Sequence, residues 1–255
     1  MLLAIDIGNT NITLGVFDGE KLRSTWRVAT DTHRLSDEYA ALLIDLLQHQ
    51  GLKTTDITKI ALCSVVPALT TVFEEIGERY LNTSPLVIGA GVKTGVSIRM
   101  DNPKEVGADR IVDAAAAHHL YDGPVIIVDL GTATTFDTVS KEGDYLGGAI
   151  APGIAAAAES LFRRTAMLPS VALSRPERAI GTNTISAMQS GLVFGYTGLV
   201  ESIVNRLQQE LGEKATVVAT GGYANLVARE TPVIDTINPD LTLIGLRLIY
   251  LMNRA

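Results

Sequence analysis

The chain has 255 residues, enough for one large domain or two of moderate size, and at 47% hydrophobic and 19% charged it can build a full core, which excludes a disordered chain. Its 28 acidic and 21 basic side chains leave a net charge of -7, which argues against a general nucleic-acid surface but leaves room for a local anion pocket. Only 5% is aromatic, while Ala, Gly, Val, Ile and Leu abound, a composition that suits tightly packed α/β layers.

The apolar N-terminal run has no basic region before it and stops at Asp6, so it does not read as a signal peptide. No run approaches the roughly 18 apolar residues of a membrane helix, so a cytoplasmic protein with no membrane partner is expected. Ala4 to Phe17 reads as a β-hairpin, with apolar residues leading to Asp6 and a small polar turn after Gly8. Gly8 lets backbone approach backbone or ligand, and successive N–H groups in such a turn can point at a phosphate. Asp6 at the end of a buried strand would be a costly lone charge, so a cation or donors should face it. The alternative is an ordinary hairpin whose Asp and Asn stabilise the turn.

Leu22 to Val28 can add a strand. Ser36-Asp37-Glu38 opens a helix with an acidic first turn, and Gly51 ends it. Lys59 to Val66 is a buried strand that carries the single cysteine, Cys63. One cysteine excludes an internal disulfide and a cysteine-based zinc site, and Cys63 reads as a small buried hydrophobe. Pro67 suits the first turn of the next helix, and Pro85 to Ile88 is a short strand. Gly95 to Arg99 can form another. A helical stretch from Pro103 to Leu120 is interrupted at Gly107, with Ala108-Asp109-Arg110 where it restarts.

Val125 to Asp137 then repeats the first pattern: apolar strand, Asp129, Leu130, Gly131, a small polar run and a β-rich return. Asp6 matches Asp129 and Gly8 matches Gly131. Two hairpins of one design predict two related domains, 1–112 and 113–255, each offering an Asp and a Gly-led turn to a shared cleft. Tyr145 to Ile150 reads as a strand, Ile154 to Arg164 as a helix and Leu168 to Arg178 as loop. Ile185 to Leu211 is a long helical stretch with Gly191, Gly195 and Gly198 inside it, which means close packing or a break. Thr216 to Thr220 is a strand followed at once by Gly221-Gly222. The chain closes on a helix after Pro239-Asp240, with Arg247 and Arg254 toward its end. His33, His49, His118 and His119 show no metal-ligand spacing and read as structural.

Asp6-Ile7-Gly8-Asn9-Thr10, Asp129 to Thr135 and Ala219-Thr220-Gly221-Gly222 together resemble the acetate/sugar kinase, heat-shock ATPase and actin superfamily. They match its first phosphate, second phosphate and adenosine motifs, in order. Gly107-Ala108-Asp109-Arg110, Gly147 to Gly153 and Pro239 to Leu246 narrow the resemblance to type III pantothenate kinases, across essentially the whole chain. The resemblance implies an α/β fold of two ribonuclease-H-like (actin-like ATPase) domains, each a mixed β-sheet flanked by helices. It implies phosphorylation of pantothenate by ATP, the first step of coenzyme A synthesis, by a homodimer that needs Mg²⁺ and a monovalent cation, K⁺ or NH₄⁺.

Residue by residue, the resemblance makes Asp6 the Mg²⁺ holder, through water, since Mg²⁺ keeps much of its hydration shell. Asp6, Ile7, Gly8, Asn9, Thr10, Asn11, Ile12 and Thr13 would wrap the ATP phosphates, joined by Thr132, with Gly221 and Gly222 leaving room for adenine or ribose. Asp129 takes the monovalent-cation position; its alternatives are a second Mg²⁺ contact or an Asp that orders the turn. Asp109 is the general base for the alcohol and Arg110 the ligand of the pantothenate carboxylate; a helix cap and a surface ion pair are the alternatives. Gly107, Ala108, Thr184 and Met100 complete the substrate contacts, with Met100 standing where relatives often carry an aromatic residue. A kinase for another small alcohol and a nucleotide-binding transcriptional accessory protein without kinase activity are the rival functions.

Overall fold

A computed structural model describes residues 1–253. In chain order its strands are β1 (Leu2–Ile7), β2 (Asn11–Asp18), β3 (Lys21–Ala29), β4 (Lys59–Ser64), β5 (Leu86–Val87), β6 (Ser97–Ile98), β7 (Val125–Leu130), β8 (Ala133–Val139), β9 (Asp144–Pro152), β10 (Thr216–Thr220) and β11 (Thr236–Ile237). The helices are α1 (Ser36–His49), α2 (Pro67–Tyr80), α3 (Ala108–Leu120), α4 (Ile154–Arg164), α5 (Thr184–Leu211), α6 (Ala224–Ala228) and α7 (Leu241–Asn253). Arg254 lies outside the described residues. The chain divides into two units: Met1–Val96, Asn102–Ala116 and the segment from Thr242 on; and Ser97–Asp101 with Ala117–Leu241.

The first unit is a mixed sheet in the order β3-β2-β1-β4-β5, antiparallel across β3, β2 and β1 and parallel from β1 to β4 and β5. Strand β1 is apolar on both faces because both are covered. Leu3, Ile5 and Ile7 pack with Tyr39 and Leu43 of α1 and Phe73 of α2. Leu2 and Ala4 pack with Val112 of α3 and Leu243, Leu246 and Ile249 of α7. Each such buried aliphatic or aromatic side chain contributes about 1.5–3 kcal/mol.

The second unit repeats the plan. Its sheet runs β11-β10-β7-β8-β9-β6, so β9-β8-β7-β10-β11 copies the order of the first sheet and β6 adds a strand parallel to β9. Ile126, Val128 and Leu130 of β7 pack with Val200 and Val204 of α5 and Val227 of α6. Both units are thus the α/β, ribonuclease-H-like arrangement of a mixed sheet flanked by helices.

The division differs from a cut between residues 112 and 113. It falls after Ala116 within α3, and α7 belongs with the first unit. The reason is the apolar stripe of α7: Leu243, Leu246, Ile249 and Tyr250 join the cluster of Leu2, Ala4, Phe17 and Ala61. Ser97 and Ile98 go to the second unit because they pair with Asp144 and Tyr145. Helix α5 runs unbroken for 28 residues from an Asn183 cap, whose side chain accepts from the Ser186 N–H, to Gly212 in the left-handed conformation. Gly191, Gly195 and Gly198 lie exposed on it, with nothing within 4 Å of where a Cβ would stand. Among the described residues no helix is long and apolar enough to cross a membrane.

Candidate active site

The first Asp–Gly turn is set by the register of β1 and β2, which pairs Asp6 with Thr13 and Ile7 with Ile12. The Gly8 N–H donates to the Asn11 carbonyl at 3.0 Å and closes the turn. Thr30, at the end of β3, ties the turn down: its hydroxyl donates to the Gly8 carbonyl at 2.7 Å and its N–H to the Thr10 carbonyl at 3.0 Å. Asn9, Thr10 and Asn11 are exposed. Ile7 and Ile12 are fully buried in the core, so only their backbone can face a ligand. Alternation along the strands turns Asp6 and Thr13 to the opposite face.

Asp6 is half-buried and pairs in register with Cys63 on β4. The Cys63 thiol donates to Asp6 Oδ1 at 3.3 Å. Burial pushes the Asp6 carboxyl up to about 7, and the nearby Asp109 charge pushes the same way; the Cys63 hydrogen bond and the Arg27 charge pull it down. Burial first, then the Asp6 charge, pushes the Cys63 thiol well above its ordinary value, so it stays a neutral donor. Cys63 is buried as the sequence suggests, but it also has a polar task at the site.

Asp109 enters from the first turn of α3. Its Oδ1 accepts from the Arg110 N–H at 2.8 Å, and a Cβ on Gly107 would lie 2.5 Å from that same oxygen. Gly107 therefore makes the space into which the carboxylate folds. Asp6, the Gly8 turn, Asp109 and Arg110 all belong to the first unit, with Asp6 and Asp109 close enough for their charges to interact.

In the second unit, register sets Asp129 opposite Thr135 on β8 and Thr220 on β10. The Gly131 N–H donates to the Ala133 carbonyl at 3.0 Å, a turn one residue shorter than its counterpart. Gly221 has φ +88, and a Cβ there would collide with Asp129 Oδ1 and the Leu130 carbonyl. Only glycine combines that backbone conformation with that approach. Asp129 and the Gly221-Gly222 turn therefore sit together, and the Tyr223 N–H donates to the Leu130 carbonyl at 3.1 Å. Gly153, which caps α4, packs on the carbonyls of Gly131 and Thr132, bringing the start of α4 against this turn and leaving Thr132 exposed.

The other expected substrate contacts lie elsewhere in the second unit. Met100 is half-buried, its sulfur against Gly147. Thr184 is exposed at the first turn of α5, where it lines an apolar groove of about 1200 Å³ with Leu161, Gly191 and Gly195. Thr30, Cys63 and Arg27 were not foreseen as site residues. The signal for each was positional: Thr30 follows the third strand, and Arg27 and Cys63 fall in register with Asp6 only once the strand order is known.

The family model described as type III pantothenate kinase matches residues 2–206. The chain belongs to the type III pantothenate kinase family. Curated type III pantothenate kinases agree along the whole length: one from Dehalococcoides mccartyi is 57% identical over 100% of this chain and 98% of its own, and one from Moorella thermoacetica is 55% identical over 99% and 100%. Among solved structures, a putative Baf family transcriptional activator from Campylobacter jejuni superposes with a TM-score of 0.61 at 20% identity, covering 98% of both chains. A polyphosphate/ATP-glucomannokinase from Arthrobacter superposes with a TM-score of 0.50 at 14% identity, also over 98% of both. At such identities the structures attest the fold that type III pantothenate kinases share with sugar kinases. The chain is thus a kinase of that family on the actin-like ATPase scaffold.

Proposed function

We propose that the protein transfers the γ-phosphoryl group of ATP to the primary alcohol of pantothenate, giving 4'-phosphopantothenate, the first step of coenzyme A biosynthesis. The observation that carries this reading is the pairing of Asp6 and Asp109 in one unit, a strand-end carboxylate beside a polar Gly turn and a helix-start carboxylate within its electrostatic reach. Phosphoryl transfer asks a protein mainly for positioning and charge neutralisation. Asp109 accepts the proton of the attacking hydroxyl, which a primary alcohol does not lose unaided near pH 7. Arg110 binds the pantothenate carboxylate through its planar guanidinium, and Gly107, Ala108, Met100 and Thr184 are further substrate contacts in this reading.

The backbone from Asp6 to Thr13 and the Thr132 hydroxyl hold the phosphates, and Gly221 and Gly222 leave room for adenosine. The start of α4 behind the Gly131-Thr132 turn favours an anion there. Among the described residues no group of three or more His, Cys, Asp or Glu can cage a metal. One carboxylate, Asp6, fits Mg²⁺ bound chiefly by substrate phosphates and water. Bound there, Mg²⁺ would neutralise the triphosphate. Asp129 Oδ1 and the Leu130 carbonyl, brought together beside Gly221, are oxygen donors of the kind that would suit K⁺ or NH₄⁺. Assembly as a homodimer is part of the reading. The exposed glycines of α5, with Leu161 exposed at 37% beside Gly191 and Gly195 in the same apolar groove, support burial of that face against a second copy. The enzyme would act in the cytoplasm, with no nucleic-acid or membrane partner.

A product assay with ATP, Mg²⁺ and pantothenate, with and without K⁺, tests the reading. Phosphopantothenate formation that requires K⁺ or NH₄⁺ is expected. Equal turnover of sugars or acetate, or no ATP consumption with pantothenate, would overturn it.

A further inference from the structure

The register of the first sheet lines up four residues across four strands. Arg27 of β3 pairs with Thr13, Thr13 with Asp6, and Asp6 with Cys63. Residues paired in register project from the same face of a sheet. The neighbours of Arg27 on β3, Trp26 and Val28, pack into the core on the other face, so Arg27 shares the face of Asp6. The side chain is exposed and makes no hydrogen bond or ion pair among the described residues. Arg23 on the same strand, by contrast, pairs with Asp18. Arg27 nonetheless acts on Asp6 electrostatically, lowering its proton affinity.

The equivalent row in the second sheet reads Ile150, Thr135, Asp129, Thr220. The threonine and the aspartate recur, but the outer position is an exposed isoleucine, 67% accessible. The cation is therefore specific to the first row and is no by-product of the repeated fold. Two strand spacings separate Arg27 from Asp6, about 10 Å between backbones. Over that span, charges that alternate in sign are favourable: the Asp6 carboxylate, a divalent cation, phosphate oxygens, then a guanidinium.

We propose that Arg27 is a polyphosphate ligand, whose guanidinium engages phosphate oxygens of the nucleotide that Asp6 approaches from the other side through Mg²⁺. This rests on the kinase reading for the identity of the anion. A planar, always-charged fork is the side chain best matched to phosphate, and an exposed one needs no rearrangement to receive it. The rival account makes Arg27 a charge that only protects an edge strand from pairing. That account predicts no preference for phosphates.

The test compares wild type, Arg27→Met and Arg27→Lys as full-length proteins with Mg²⁺ and no pantothenate. ATP and adenosine are titrated by calorimetry, and steady-state kinetics are measured alongside. Arg27→Met should bind ATP about tenfold more weakly or worse, bind adenosine as wild type does, and raise KM for ATP but not for pantothenate. Arg27→Lys should recover part of the loss, and thermal unfolding of both variants should match wild type. ATP binding by Arg27→Met within twofold of wild type would overturn the inference while leaving the kinase reading intact. Wild type that binds ATP but does not phosphorylate pantothenate would overturn that reading and leave the phosphate contact standing. Wild type that cannot tell ATP from adenosine would overturn both.

Discussion

Replacing Asp6 by asparagine should stabilise the metal-free protein above neutral pH while removing its function. The Asp6 carboxyl is pushed from 3.8 to about 7, chiefly by burial and then by Asp109. A raised pKa means that the folded state prefers the neutral form. The contribution of this group is therefore intact below pH 3.8 and declines as pH rises toward 7, after which it stays flat. A shift of about 3 units at about 1.4 kcal/mol each gives about 4 kcal/mol as a ceiling. Asp6 is only half-buried, so solvent relaxes the charge and about half of that, ~2 kcal/mol, is the expected penalty. Asparagine keeps an oxygen to accept from Cys63 and carries no charge. In urea unfolding with a chelator, Asp6→Asn should exceed wild type by ~2 kcal/mol at pH 8.5 and by about half as much at pH 4.5. Mg²⁺ with ATP should restore wild type and leave the variant unchanged. A variant that is less stable than wild type at pH 8.5, or a gap that does not shrink at pH 4.5, would refute the reasoning.

Two further substitutions probe the parts that hold the site. Cys63→Ala removes the thiol that donates to Asp6, so the apparent Mg²⁺ requirement should rise several-fold in a metal titration of activity, and Cys63→Ser should restore most of it. A Cβ at Gly148 would overlap the Phe136 carbonyl across the β8–β9 pairing, and no rotamer relieves a backbone clash. Gly148→Ala should therefore lose about 3 kcal/mol in urea unfolding.

The hairpins were legible because local chemistry writes them: an apolar run, an Asp, a Gly and a small polar turn, repeated at Asp6 and Asp129. Helix α2 was legible from Pro67, and α1 from its acidic start and from Gly51, which stands in the left-handed region just beyond its end. The destination of α7 was not, because an apolar stripe shows that a helix is covered without saying by which sheet. Its partners, Leu2, Ala4 and Phe17, lie at the opposite end of the chain. Strands β5 and β6 fall inside the strands read at Pro85 to Ile88 and Gly95 to Arg99, but β11, at two residues, is too short to carry a period and was not read. The same limit hid the row of Arg27, Thr13, Asp6 and Cys63, which exists only through strand pairing. Asp109 was picked out from its motif, and the sequence left it open between base and cap. The structure places it as the second residue of α3, with a hydrogen bond from the adjacent Arg110 N–H and a position near Asp6.

The central claim is that Asp109 readies the alcohol while other residues hold the nucleotide. Asp109→Asn keeps the size of the side chain and removes its capacity to take a proton, and nucleotide binding and turnover can be measured on the same preparation. The account predicts ATP affinity within a few-fold of wild type, with kcat lower by about 10²–10⁴. Normal kcat, or loss of ATP binding in step with activity, would contradict it.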